Sequence, residues 1–488
     1  MMKKVFAALL ILVAGFFWTA KAGACFSIVV GREASDDGAV LLAHNEDDSG
    51  PSPLMVNAYK LPVLYHNKGA VISLNNELAI PQVRRTCEFL WLEVPEQEFA
   101  DAYFNENGVS ITSNECHSRE DRPETTGGGI GFMLRRLIAE RAGSSREAVR
   151  LAGEWIQQYG YTSSGRTYLI ADAREGWLLH AVKGKHWVAQ RVPDDQAAVI
   201  ANCYTIGKVD LADRNNFMGS ADIIEYAQRR GWYRPERDGA FDFARAYSDP
   251  EELKQPGNIM RWWRGVALLA KKDFPMNQRL PFSFTPKREI RVLDLIRILR
   301  DHYEGTDYDL TDHYKKGSPN LTANRTICTE STQYSFVAQL REELEAELNN
   351  LVWIAFSRPD ANAYAPWYVA IEEPPAEYAR GEAATALASH FLPSIPPVDG
   401  KGNRAFVAFA RLAELVDRVY RERNEEVQKM WRNFENLAMK SVKSKEKEFA
   451  YLLKTDRAIA RKIITTFVQD LEFRKWFFTS DLIRKYRK

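Results

Sequence analysis

The chain has 488 residues, of which 45% are hydrophobic, 27% charged and 12% aromatic, the make-up of a large globular protein and not of a disordered or fibrous one. Its 66 basic and 65 acidic residues leave a formal charge of +1. Nothing in that balance calls for nucleic acid or an anionic membrane surface as partner.

The first stretch stands apart. Lys3 and Lys4 precede an apolar run from Val5 to Trp18, 14 residues long, and Ala22-Gly23-Ala24 follows. A membrane-spanning helix needs about 20 apolar residues, so residues 1–24 read as an export leader that a signal peptidase removes after Ala24. The leader carries three lysines and no acid, so the remainder stays near neutral. A periplasmic or secreted location is expected, and Cys25 becomes the first residue of the mature chain. Three uses of such a cysteine are open: catalytic nucleophile, half of a disulfide, or acylated anchor of a lipoprotein. Against the last, Ala22 stands where lipoprotein signals usually carry Leu.

From Cys25 the pattern is that of a strand ending at Gly31, a turn over 34–38 and a second strand over 39–43, together a hairpin. A further strand is expected at 108–112. A helix follows over about 131–142, ended by Gly143, and a second one runs to about 159 with Ser144 and Glu147 spaced as a capping box. Short apolar runs at 168–171, 177–182, 187–192 and 198–206 predict strands. Strands, a helix pair and strands again point to sheet layers covered by helices and away from alternating βαβ units. Residues 210–319 are mixed in pattern. Strands return at 335–340 and 351–356, before a proline-rich stretch over 373–397. Beyond Gly402, Phe406, Phe409, Leu412, Val416 and Tyr420 mark one face of a long helix, and another spans about 456–477; both are expected to pack on the core.

A cysteine at a mature N-terminus can carry its own base. The α-amine, with a pKa near 7.7–8, accepts the thiol proton directly or through one water, so one residue supplies nucleophile and base. The amine must be oriented and the tetrahedral oxyanion held. His44-Asn45-Glu46-Asp47-Asp48, at the end of the second strand, lies where a hairpin brings it beside Cys25, and a carboxylate there can hold the amine. The same residues would equally make a solvated turn. The histidines form no H-E-x-x-H pair and there is no C-x-x-C, which argues against a metal-dependent peptidase, and no metal ligand is assigned. No cofactor is called for. Cys87, Cys116, Cys203 and Cys328 could form up to two disulfides or remain buried thiols, and His117 reads as part of a surface loop.

Residues 25–48, with Gly31, Asp37-Gly38 and Asn45-Glu46-Asp47, resemble the start of the cysteine dipeptidases typified by dipeptidase A and the secernins, a branch of the N-terminal nucleophile hydrolases. The likeness continues through Asn105-Glu106-Asn107-Gly108-Val109, Ser145-Arg146-Glu147-Ala148-Val149, residues 184–194 and 202–207, Thr332-Gln333-Tyr334-Ser335, residues 337–341 and Ala365-Pro366-Trp367-Tyr368. It implies an α+β fold, a four-layer αββα sandwich, over residues 25–400, with 401–488 a helical extension packed on it, and hydrolysis of dipeptides or short peptides.

A more distant likeness to bile salt hydrolases and penicillin V acylases implies the site residues. Cys25 matches their nucleophile, Asp47 the aspartate on the α-amine, and Asn202 the asparagine that orients the N-terminus or holds the oxyanion. Their other oxyanion asparagine falls near Asn114, where loop length differs by one residue. His44 stands where an arginine often precedes the Asn of this segment, here Asn45. For a second, late arginine no position matches the motif, and Arg325 is the candidate. The expected activity is an exported cysteine dipeptidase working through an acyl-thioester. The alternatives are hydrolysis of N-acyl amides, or a lipid-anchored binding protein with acylated Cys25. Homo-oligomerisation is left open.

Overall fold

The computed structural model describes residues 25–48, 55–74, 77–391 and 403–487. The expected leader and the boundary at 400/401 lie outside these residues. Two antiparallel sheets dominate. The first, six-stranded, runs in the order Ala197–Ile200, β1 (Phe26–Val30), β2 (Val40–Asp47), Thr332–Leu340, Asn350–Phe356, Ala365–Tyr368. The second, eight-stranded, runs Phe217–Gly219, Trp187–Arg191, Gly176–Gly184, Tyr161–Ala171, Ser110–Glu115, Ala102–Asn105, Phe89–Glu93, Asn57–Leu61.

The sheets pack face to face through β-branched and leucine side chains, Val29, Val40 and Leu42 meeting Leu169, Leu178 and Phe104 in one core. Sheet spacing is tight at Gly176, where a Cβ would fall 2.4 Å from a Val29 methyl. Helices α1 (Met133–Arg141) and α2 (Ser145–Tyr159) cover the outer face of the eight-stranded sheet. Ser144 accepts from the Glu147 N–H, and the Glu147 carboxylate reaches back to the Gly143 N–H. The helix Pro256–Leu269 covers the other sheet, its Gly265 pressed on Val199 and Phe26. The helices Arg404–Asp417, Tyr420–Thr455 and Arg457–Tyr486 extend that outer layer. The result is the αββα sandwich, and Ala438, Val442, Phe449 and Ile464 of the last two helices share its core.

Some expected boundaries moved. The strand expected over 198–206 ends at Ile200 because the Thr205 and Ile206 N–H groups turn to donate to His180 Nε2. The helix expected over 456–477 continues to Tyr486, where it packs with Trp431 and Leu415. Among the described residues all five cysteines are free and buried, so Cys87, Cys116, Cys203 and Cys328 are the buried thiols of the two readings. No described helix is long and apolar enough to cross a membrane.

Candidate active site

The hairpin register fixes the site. Ser27 pairs with His44 and Phe26 with Asn45, so the next step along β1 sets Cys25 against Glu46. Side chains alternate across a strand, and Cys25, Ser27, His44 and Glu46 therefore share the inner face, toward the second sheet. Asn45 and Asp47 point the other way.

The inner face is a connected hydrogen-bond chain. The Cys25 thiol donates to Glu46 Oε1 at 3.2 Å, Glu46 Oε2 lies 2.9 Å from His44 Nε2, and His44 Nδ1 lies 2.8 Å from Ser27 Oγ. Ser27 in turn donates to Asn114 Oδ1 at 2.7 Å, and Asn114 Nδ2 donates to the Ala201 carbonyl at 3.0 Å. Because the Ser27 hydrogen is committed to Asn114, its oxygen accepts from His44 Nδ1–H. A neutral imidazole with that tautomer has a bare Nε2, so Glu46 must be protonated to bond it.

The electrostatics agree with this ordering. Burial lowers the His44 pKa well below its ordinary value, helped by the positive charges of Arg135 and Arg166. Burial raises that of Glu46 well above the usual carboxylate range, although Arg135 pulls it down. What could pass for an ion pair is a neutral hydrogen bond. The Cys25 thiol is itself pushed well up, by burial above all. In these surroundings it is held as a protonated thiol.

The outer face is charged. Thr332 donates to Asp47 Oδ1 at 2.6 Å, while Asp47 Oδ2 is buried with no hydrogen-bond partner among the described residues. Burial pushes Asp47 up to about 7, against the pull of Thr332, Arg261 and Arg325. Arg325 is brought down to about 10, mainly by burial and by Arg261 beside it. Arg261 is fully buried; it donates to the Cys25 carbonyl at 3.0 Å, to Asn202 Oδ1 at 2.9 Å and to Asn258 Oδ1 at 3.0 Å. Asn202 Nδ2 donates to the Glu115 carbonyl at 2.9 Å. Asn45 is placed away from the thiol, its amide donating to the carbonyls of Leu299 and Ile327, both at 2.9 Å.

The structure thus gathers Cys25, His44, Asp47, Asn114, Asn202 and Arg325 around the head of β1, with Asn45 tying β2 to the loops behind. Three residues were missed by the sequence reading. Glu46 and Ser27 had a signal in the alternation of a hairpin that already contained Cys25 and His44. Arg261 had none, lying 236 positions away in the mixed region.

Comparison with known proteins returns a family and several relatives. The family model described as peptidase family C69 matches residues 24–433. A probable dipeptidase of Salmonella dublin is 28% identical over 361 residues, 71% of this chain and 81% of that protein. A probable dipeptidase B of Lactococcus lactis subsp. lactis (strain IL1403) is 28% identical over 380 residues, 74% of this chain and 78% of that protein. Among solved structures, penicillin V acylase from Agrobacterium tumefaciens aligns over 70% of this chain and 85% of its own at a TM-score of 0.34 and 12% identity.

Proposed function

The chain belongs to peptidase family C69 and is a cysteine-type dipeptidase, and we propose that Cys25 is its nucleophile, made competent when residues 1–24 are removed as an export leader. The observation that carries this reading is Asp47 Oδ2, a buried carboxylate oxygen without a partner beside the head of β1. An unsatisfied buried acceptor costs about 1–3 kcal/mol, and the α-ammonium of a new N-terminus at Cys25 supplies the missing donor.

Cleavage then changes the charge of the site as well as its shape. A cation beside Asp47 favours its ionised form, and the same cation beside the Cys25 sulfur favours the thiolate. The amine, once it has given up a proton, takes the thiol proton, and the thiolate attacks the carbonyl of a short peptide. The Asn202 amide, released from the Glu115 carbonyl, donates to the oxyanion. Arg261, on the Cys25 carbonyl, fixes where the new terminus sits. The amine returns its proton to the leaving group, and water releases the acyl-thioester. Asn114 acts through Ser27 by keeping the inner-face chain in one direction. Arg325, like Arg261 a cation beside Asp47, favours the ionised carboxylate. The enzyme works outside the cytoplasm, as a periplasmic or secreted protein, with signal peptidase as its maturation partner.

The test is the intact mass of purified active protein together with its rate on a panel of dipeptides and N-acyl amino acids. A chain starting at Cys25 with a free amine and dipeptide turnover is expected. Turnover by a form that keeps Ala24, or an acylated Cys25, would overturn the mechanism, and turnover confined to N-acyl amides would move the substrate class.

A further inference from the structure

Away from Cys25, three segments meet on the outer side of the six-stranded sheet. His302 follows the helix Val292–Ile298, Cys328 precedes the strand Thr332–Leu340, and Asp360 lies in the loop after Asn350–Phe356. All three are buried, and the imidazole nitrogen, the sulfur and a carboxylate oxygen lie within 4.8 Å of one another. His302 Nε2 has no hydrogen-bond partner among the described residues and stands 3.8 Å from Asp360 Oδ2. That is too long for a hydrogen bond. It is within a few tenths of an ångström of the N···O edge of a tetrahedral zinc site, about 3.4 Å for metal–ligand bonds of 2.0–2.2 Å. The other Asp360 oxygen has no hydrogen bond among the described residues and stands 3.4 Å from Arg358 Nε, an ion pair that keeps the carboxylate ionised.

We propose that His302 Nε2, Cys328 Sγ and the Asp360 carboxylate bind one zinc-class divalent cation. The ligand types suit it: imidazole, thiolate and carboxylate together select zinc over magnesium or calcium. The surroundings suit it too. His302 Nδ1 faces Glu304 Oε1 at 3.5 Å, the carboxylate–histidine arrangement that orients metal-bound imidazoles. His302 and Asp360 line a cleft of about 630 Å³ that gives the ion an entry path and a water as fourth ligand. Binding forms the metal–sulfur bond as the Cys328 thiol releases its proton to solvent.

The ion would be structural. Asp360 already receives Asn320 Nδ2 and the Tyr420 hydroxyl, both at 2.9 Å, and its carbonyl receives Asn424 at 3.1 Å and Gln428. A metal there joins the helix Tyr420–Thr455 to the segments holding Arg325 and the Ile327 carbonyl.

The experiment uses the full chain carrying Cys25→Ala, since Cys25, His44 and Glu46 form a second group of possible ligands. The protein is stripped with chelator, loaded with Co²⁺ or Zn²⁺ alone and gel-filtered. One ion per chain is expected, with a thiolate-to-cobalt absorption band and a melting midpoint raised by several degrees with zinc. Cys328→Ser and His302→Gln should each lose the band and the shift while keeping the far-UV circular dichroism of the parent. Either variant, if folded, suffices. A folded parent that retains less than a tenth of an equivalent, or variants that bind like the parent, would overturn the site.

Discussion

The two faces of β2 differ as an insulated wire differs from an open terminal. On the inner face Cys25, Glu46, His44, Ser27 and Asn114 form an uncharged chain in which each hydrogen has an acceptor. On the outer face Asp47 sits among Arg261 and Arg325 with one oxygen unmatched. A closed neutral chain holds its members rigidly, and a half-satisfied buried carboxylate is costly until a donor reaches it. In the proposed mechanism one strand therefore separates holding the thiol from switching it on.

The strongest way to break this division is at the shared residue. Cys25→Ala should abolish dipeptide hydrolysis to background, and a single residue left ahead of Cys25 should do nearly the same with the thiol intact, because the base is then an amide. Steady-state rates on a dipeptide read both. Substantial activity in the extended chain would mean that the inner face supplies the base.

Next comes the open terminal. Asp47→Asn keeps the size and the Thr332 contact but cannot pair with an ammonium, so kcat/KM should fall by roughly 10²–10⁴, the range of a positioned acid–base group. The melting temperature of the cut form should change far less than its activity.

The same group gives the uncut chain a pH signature. Folded, Asp47 keeps its proton up to about 7, while the unfolded chain releases it near the ordinary aspartate value of 3.8. Between those values the folded state binds more protons, so raising the pH weakens the fold. The loss approaches roughly 4 kcal/mol by neutral pH. Urea midpoints of the uncut chain from pH 4 to 7 should show that fall, and Asp47→Asn should remove it. In the cut chain the ammonium removes it as well.

How far the sequence revealed this site follows from how local each part is. The hairpin was legible from β-branched alternation and a glycine-ended turn, and α2 from the Ser144 cap, because each is decided within a few residues. Asp47 was reachable through the family resemblance. Glu46 was in plain view yet read as one acid in a turn, since its role appears only when strand register puts it opposite Cys25. Arg261 and Thr332 reach the site from 236 and 285 positions away. Asn202 was placed on a strand that ends two residues before it, because the backbone there turns to His180.

The finest test distinguishes a carboxylate that holds from one that reacts. If Glu46 is protonated, its Oε1 is a plain carbonyl accepting from the thiol and its Oε2–H a donor to His44 Nε2. A glutamine offers the same pair, a carbonyl oxygen and an N–H, in nearly the same volume. Glu46→Gln should thus lower kcat/KM by less than about tenfold, the scale of one reoriented neutral hydrogen bond. Glu46→Ala should cost more, in stability as well, by leaving His44 buried with a bare nitrogen. A loss with Glu46→Gln as deep as that with Asp47→Asn would show Glu46 taking the thiol proton, and would move the switch from the outer face of β2 to the inner one.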